Sequence, residues 1–106
     1  MTSVSSTASV FDALGDPHRL RMVIRLCEAG PSSTLRLAQS IDLSRQAATK
    51  HLEILQAVGV VSSAKRGRER IWNVERHPLT SAGDYLQQLS LRWDRAIGRL
   101  RTLVEE

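Results

Sequence analysis

The sequence predicts a mainly α domain with a small β-hairpin: five helices and a two-stranded wing. Three observations carry that expectation. Residues 44–58 place Ala48, Leu52, Leu55 and Val58 at spacings of three and four, which is one helical face, with Arg45, Gln46, Thr49 and Lys50 on the opposite one. Gly59 then ends the helix, and two short β-prone runs, Val60-Val61-Ser62 and Ile71-Trp72-Asn73-Val74, flank the basic tip Lys65-Arg66-Gly67-Arg68. A short helix ending in Ile41-Asp42-Leu43 comes just before Ser44. Helix, tight turn, polar-faced helix and basic hairpin in that order describe a winged helix-turn-helix, a shape suited to reading DNA.

The elements follow in order. Residues 1–8 carry neither a basic patch nor an apolar stretch, so they read as a flexible arm and not as a signal peptide. One domain, residues 9–106, follows. Its first helix is expected from Ser9 to Leu14, with Val10, Phe11 and Leu14 on one face. Asp16-Pro17 opens the second, since aspartate caps free amides and proline suits the first helical position. Leu20, Val23, Ile24 and Cys27 then recur at three, four and three, which predicts the buried stripe. Gly30-Pro31 ends that helix. Ser32-Ser33-Thr34 starts the third, expected to bury Leu35, Ala38 and Ile41. Ser44 caps the fourth, with Ala47 where a full capping box would hold Glu or Gln.

The last third carries a second pattern. Ala82, Leu86, Leu89, Trp93, Ala96, Leu100 and Leu103 alternate steps of four and three, a coiled-coil-type seam over three heptads. Residues 79–104 as one helix would extend roughly 39 Å at 1.5 Å per residue. A wing and three short helices cannot cover that length, so the seam, with Phe11 from the first helix, is expected to meet a second copy of the chain. Tyr85, Ile97 and Val104 form a partial second stripe beside it.

Charge agrees with the pattern. The chain has 15 Lys+Arg against 11 Asp+Glu, a net +4. Residues 1–43 and 77–106 each balance at four of either sign, whereas residues 44–76 hold seven basic and three acidic residues. The whole surplus therefore falls on the polar-faced helix and hairpin, as a phosphate-facing surface requires. Ser44, Arg45, Gln46, Thr49 and Lys50 are the candidate base-reading residues, because arginine and glutamine form paired hydrogen bonds with guanine and adenine. Lys65, Arg66, Arg68 and Arg70 on the wing, with His51 beside the helix face, are the candidate backbone contacts. Trp72 is expected to anchor the wing to the core.

A length of 106 residues allows one core, and 42% hydrophobic with 25% charged residues fits an ordinary globular domain. No run approaches the roughly 18–20 apolar residues of a membrane span. One cysteine excludes an internal disulfide framework and fits a reducing cytoplasm. Three scattered histidines, with no Gly-x-Ser-x-Gly turn, Gly-rich phosphate loop or His-Glu-x-x-His, supply no catalytic constellation, and neither enzyme chemistry nor a cofactor is expected.

Four strings carry a resemblance over nearly the whole chain. They are Ala13-Leu14-Gly15-Asp16-Pro17-His18-Arg19-Leu20-Arg21, Ser44-Arg45-Gln46-Ala47-Ala48-Thr49-Lys50-His51-Leu52, Leu55-Gln56-Ala57-Val58-Gly59-Val60-Val61 and Arg66-Gly67-Arg68-Glu69-Arg70-Ile71-Trp72. In this order and spacing they resemble the ArsR/SmtB family of bacterial winged-helix repressors. The resemblance implies a homodimer built on the first and last helices, presenting two reading helices to an inverted-repeat operator. It also implies a repressor released by an effector, which the sequence does not identify. The family's metal box places two thiols, one residue apart, where Ser33 and Leu35 stand here, and neither binds a soft metal. Another family site takes Asp and His from the last helices, and no histidine follows His77. A three-thiolate site needs more sulfur than Cys27 provides. The chain thus resembles the metal-free branch of the family.

Two alternatives to an operator-binding autorepressor remain at this level. A protein–protein module on the same fold would show exposed apolar anchors, and the polar face of the fourth helix shows none. A redox-responsive repressor would use Cys27, which the apolar stripe of the second helix instead assigns to the core.

Overall fold

The computed structural model describes residues 4–105. Eight elements follow in order: α1 (Val4–Leu14), α2 (Pro17–Ala29), β1 (Ser32–Ser33), α3 (Thr34–Ser40), α4 (Arg45–Ala57), β2 (Val61–Arg66), β3 (Glu69–Val74) and α5 (Arg76–Glu105). The expected helices and hairpin are all present; α5 opens at Arg76, three residues before the expected Leu79, with Pro78 in its first turn, and three further differences stand out.

Helix α1 begins at Val4, so residues 4–8 of the expected arm are helical, while residues 1–3 lie outside the described residues. Serine and threonine are only modestly unfavourable in helices, and packing against α5 decides the matter, with Thr7 buried in the interface. The sheet has three strands, not two, in the order β1-β3-β2. Ser32 and Ser33 pair antiparallel with Trp72 and Ile71, satisfying the outer edge of β3. Two serines are too short and too polar a run to be read as a strand.

The third difference lies in which faces are buried. Helix α2 turns Met22, Val23 and Leu26 into the core and leaves Leu20, Ile24 and Cys27 exposed. Both stripes have helical spacing and share Val23, so periodicity alone cannot choose between them. In α3, Leu37 and Ala38 are buried, Ile41 packs at the core margin and Leu35 is exposed.

Local signals hold the helix starts. The Asp16 carboxylate accepts from the backbone N–H of His18 at 2.8 Å and of Arg19 at 3.1 Å, with Pro17 first in the helix. The bond from the Arg19 N–H is the main reason that this carboxyl titrates below its ordinary 3.8; partial burial opposes it, and the His18 N–H and the charges of Arg19 and His51 add to it. A carboxylate with a depressed folded pKa stabilises the fold above its unfolded pKa, and the contribution disappears as pH falls through the folded value. Asp16→Ala should therefore lower the thermal midpoint at pH 7, with the gap from wild type closing below pH 3.8. Melting curves at fixed protein concentration across that range test this, and a gap independent of pH would contradict it.

The core fills the space between α1–α4 and the sheet. Met22, Leu52, Leu55, Val60 and Trp72 are all fully buried within it. Helix α5 behaves differently: of its seven seam residues, only Ala82 is buried in its own chain. The helix spans 30 residues, roughly 45 Å. It draws the Cα radius of gyration out to 18.0 Å, where a compact chain of this size has about 13 Å.

Candidate DNA-binding surface

Helix α4 separates its two faces cleanly at its N-terminal end. Ala48, Leu52 and Leu55 are fully buried, whereas Arg45, Gln46 and Lys50 project into solvent. The turn before it is tight: Leu43 N–H donates to the Ala38 carbonyl at 2.9 Å, and Asp42 takes φ 55°, a left-handed conformation that aspartate tolerates. Ser44 Oγ caps the helix by accepting from Ala47 N–H at 3.1 Å, and Thr49 Oγ1 donates back to the Arg45 carbonyl at 2.9 Å. Of the five candidate base readers, Arg45, Gln46 and Lys50 thus have polar ends without a partner among the described residues, while Ser44 and Thr49 hold local backbone bonds. The C-terminal part of α4 also exposes Ile54, so its outer surface is not wholly polar.

The hairpin pairs from Val61↔Val74 to Arg66↔Glu69 around the turn Gly67-Arg68. Gly67 sits at φ 63° in the first central position, where a two-residue turn of type II′ calls for glycine. Lys65, Arg66 and Arg68 are exposed around this tip. None of the three has an ion-pair partner among the described residues.

Arg70 and His51 differ from the other candidate backbone contacts, because both turn toward the protein. Arg70 Nε donates to Ser63 Oγ at 3.0 Å and Nη2 to Gln56 Oε1 at 3.4 Å, with Nη1 3.7 Å from Glu53 Oε1. Its guanidinium also lies 4.2 Å from the Trp72 ring centroid, a cation–π contact. Ser63 Oγ donates to Gln56 Oε1 at 2.8 Å, closing a network between α4 and both wing strands. Arg70 therefore fixes the wing against α4; Gln56, Glu53 and Ser63 share that role. Sequence reasoning missed those three, because ordinary polar residues 7 to 17 positions from their partners carry no periodic signature.

His51 Nδ1 faces Arg19 Nη1 at 3.4 Å and Asp16 Oδ1 at 4.0 Å, and its ring lies 5.5 Å from that of His18. The guanidinium contact requires the lone pair on Nδ1, placing the proton of a neutral ring on Nε2. Arg19 also donates from Nε to the Ala13 carbonyl at 2.6 Å, so this cluster joins α1, α2 and α4. Trp72 is the anchor that the sequence predicts: it is fully buried, and Nε1 donates to Thr34 Oγ1 at 2.8 Å, locking β3 to α3.

Known proteins share this fold. A helix-turn-helix domain model matches residues 14–64. An uncharacterised HTH-type transcriptional regulator of Bacillus subtilis, YuzN, is 36% identical over 77 residues, 67% of this chain and 84% of the relative. An ArsR-like transcriptional regulator from Rhodococcus sp. RHA1 superposes with a TM-score of 0.78 at 34% identity, covering 93% of this chain and 92% of the other. The chain belongs to the ArsR family of winged helix-turn-helix transcriptional regulators. At the level of fold alone, it also matches the homodimeric winged helix-turn-helix DNA-binding domain of a possible ArsR-family regulator from Mycobacterium bovis. That TM-score is 0.66 at 17% identity, over 89% of this chain and 83% of the other.

In this ArsR-family regulator, the positions of the metal box have other duties. Ser33 Oγ caps α3 by accepting from Arg36 N–H at 3.2 Å, and Leu35 is exposed. On α5, Leu86, Leu89, Trp93, Leu100 and Leu103 are each more than half exposed, Trp93 reaching 66%. Phe11 is half-buried, and with Leu86 and Leu89 it lines an apolar cleft of about 260 Å³ between α1 and α5.

Proposed function

We propose that this regulator is a cytoplasmic, homodimeric, sequence-specific autorepressor of an inverted-repeat operator. The observation that carries this reading is the face of α4: among the described residues, the side chains of Arg45, Gln46 and Lys50 have no partner, above a buried apolar stripe and beside a basic wing tip without ion pairs. Each α4 would enter a major groove, with Gln46 and Lys50 at base edges, Ser44 and Thr49 holding the helix end, and Arg45 on the side nearer the wing. Lys65, Arg66 and Arg68 would meet the DNA backbone. The uncovered seam of α5 supports a second copy as partner, as does the homodimer described for the Mycobacterium bovis structure. An exposed heptad of large apolar residues is unfavourable in water unless something covers it.

Selection of bound fragments from genomic DNA by the purified protein would supply the operator. Gln46→Ala should then weaken operator binding by roughly 5- to 150-fold per half-site, the equivalent of about 1–3 kcal/mol for one base-reading side chain, and a dimer carries the change twice. Affinity for scrambled DNA should hardly change. Equal losses on both DNAs would show that Gln46 does not read sequence, and selection of no fragment at all would remove the operator reading itself.

A further inference from the structure

A cleft of about 180 Å³ opens where the first turn of α3, the start of α4 and the turn of the wing converge. Arg45 lines it from the first residue of α4 and Arg68 from the hairpin turn, with Ser33, Thr34 and Leu35 on the α3 side and Glu69 at the wing. Neither Arg45 nor Arg68 has a side-chain hydrogen-bond or ion-pair partner among the described residues. Arg70 also borders the cleft, but its guanidinium is held by Ser63, Gln56, Glu53 and Trp72. Two arginines from separate elements, neither with a side-chain partner among the described residues, therefore line one small recess.

The volume suits a single tetrahedral anion and falls below the roughly 300–1,000 Å³ of small-molecule pockets. The position suggests which anion. If α4 lies in a major groove and the wing reaches the adjacent minor groove, one sugar-phosphate strand separates the two grooves. That strand must cross the seam between α4 and the wing, where this cleft opens. We infer that the cleft holds one phosphodiester of that strand, gripped jointly by Arg45 and Arg68. The inference rests on the DNA-reading function proposed above. It gives Arg45 a phosphate to hold in place of a base to read. Charge-assisted N–H···O bonds to phosphate are shorter and stronger than neutral ones, so two converging guanidiniums would fix the register of helix and wing together. The Glu69 carboxylate beside them disfavours a free anion, which would lack the other contacts of a bound duplex.

The test is a salt series on operator and scrambled DNA for wild type, Arg45→Ala, Arg68→Ala, the double variant and Gln46→Ala. Both arginines are exposed, so the fold is expected to survive each change, which circular dichroism checks. If both hold the same phosphate, the double variant lowers the slope of log affinity against log salt by about two units per dimer. Two separate phosphates would give about four. Under the shared grip, Arg45→Ala weakens operator and scrambled DNA by the same factor. Loss of discrimination in Arg45→Ala, a drop near four units, or an unchanged slope in the double variant overturns the clamp. Gln46→Ala reports on the DNA-reading function separately, since that function stands if it still loses operator preference. Inorganic phosphate titrated against the DNA-free protein covers the remaining source. Saturable binding that the double variant abolishes, with no change in its DNA salt slope, would make the cleft a free-anion site and not a backbone clamp.

Discussion

Trp93→Glu should convert the proposed dimer into a monomer of 11.8 kDa while leaving the helix-turn-helix core folded. Trp93 is 66% exposed in its own chain, so its replacement opens no cavity among the core residues that carry the reading surface. In the dimer it would sit near the middle of the seam, between Leu89 and Ala96. Burying one large apolar side chain is worth about 1.5–3 kcal/mol, and a symmetric interface carries it twice. The glutamate adds a desolvated charge without a partner on each side. A single protomer meets only a half-site, so operator affinity should fall by about 10²–10⁴-fold as the linked second contact is lost. Sedimentation and operator titration of both proteins decide the matter. A wild type that sediments as a monomer and still binds its operator tightly would rule out the proposed assembly.

The reasons the sequence was legible in some places and not in others are physical. The extent and buried face of helix α4 could be read because its cap, its apolar stripe and its glycine stop all specify one conformation, and Ala48, Leu52 and Leu55 are buried as that pattern requires. Trp72 could be placed because a tryptophan on a short hairpin strand has only the core in which to bury its ring. Helix α2 was ambiguous because it carries apolar residues at Leu20, Met22, Val23, Ile24, Leu26 and Cys27. Two faces of that set have helical spacing, and contacts with α1, α4 and β3 choose Met22 and Leu26 over Leu20 and Ile24. The same choice exposes Cys27, which the stripe assigned to the core.

Within the candidate site, residue type was a better guide than residue duty. The sequence located the basic surplus on α4 and the wing, and Lys65, Arg66 and Arg68 are exposed there. It could not separate Arg70 from Arg68, because both are arginines on one hairpin. The pleat separates them: Arg70 shares a face with Trp72 two residues on, turns toward α4 and finds Gln56, while Arg68 sits in the turn. His51 is a similar case, drawn inward by the Asp16 and Arg19 groups at the start of α2.

The two tryptophans should respond in opposite ways, and Trp72 carries the larger consequence for the fold. It is fully buried, packs beneath Arg70 and donates to Thr34 Oγ1. Removing a buried tryptophan to alanine costs about 3–5 kcal/mol, a large share of the roughly 5–15 kcal/mol that holds a domain together. For a domain of this size, Trp72→Ala should lower the melting midpoint by about 12 °C or more at equal protein concentration. Trp72→Phe keeps most of the apolar volume and a ring under Arg70, and loses chiefly the bond to Thr34, about 1 kcal/mol. It should fold, and it leaves Trp93 as the one tryptophan in the chain. Its fluorescence then reports the seam directly: diluting the protein through the dimer dissociation range should shift emission to the red as Trp93 becomes hydrated. Emission independent of concentration, together with a dimeric mass, would show that the copies meet elsewhere. A Trp72→Ala protein that melts with wild type would show that the wing is not held to α3 through this ring.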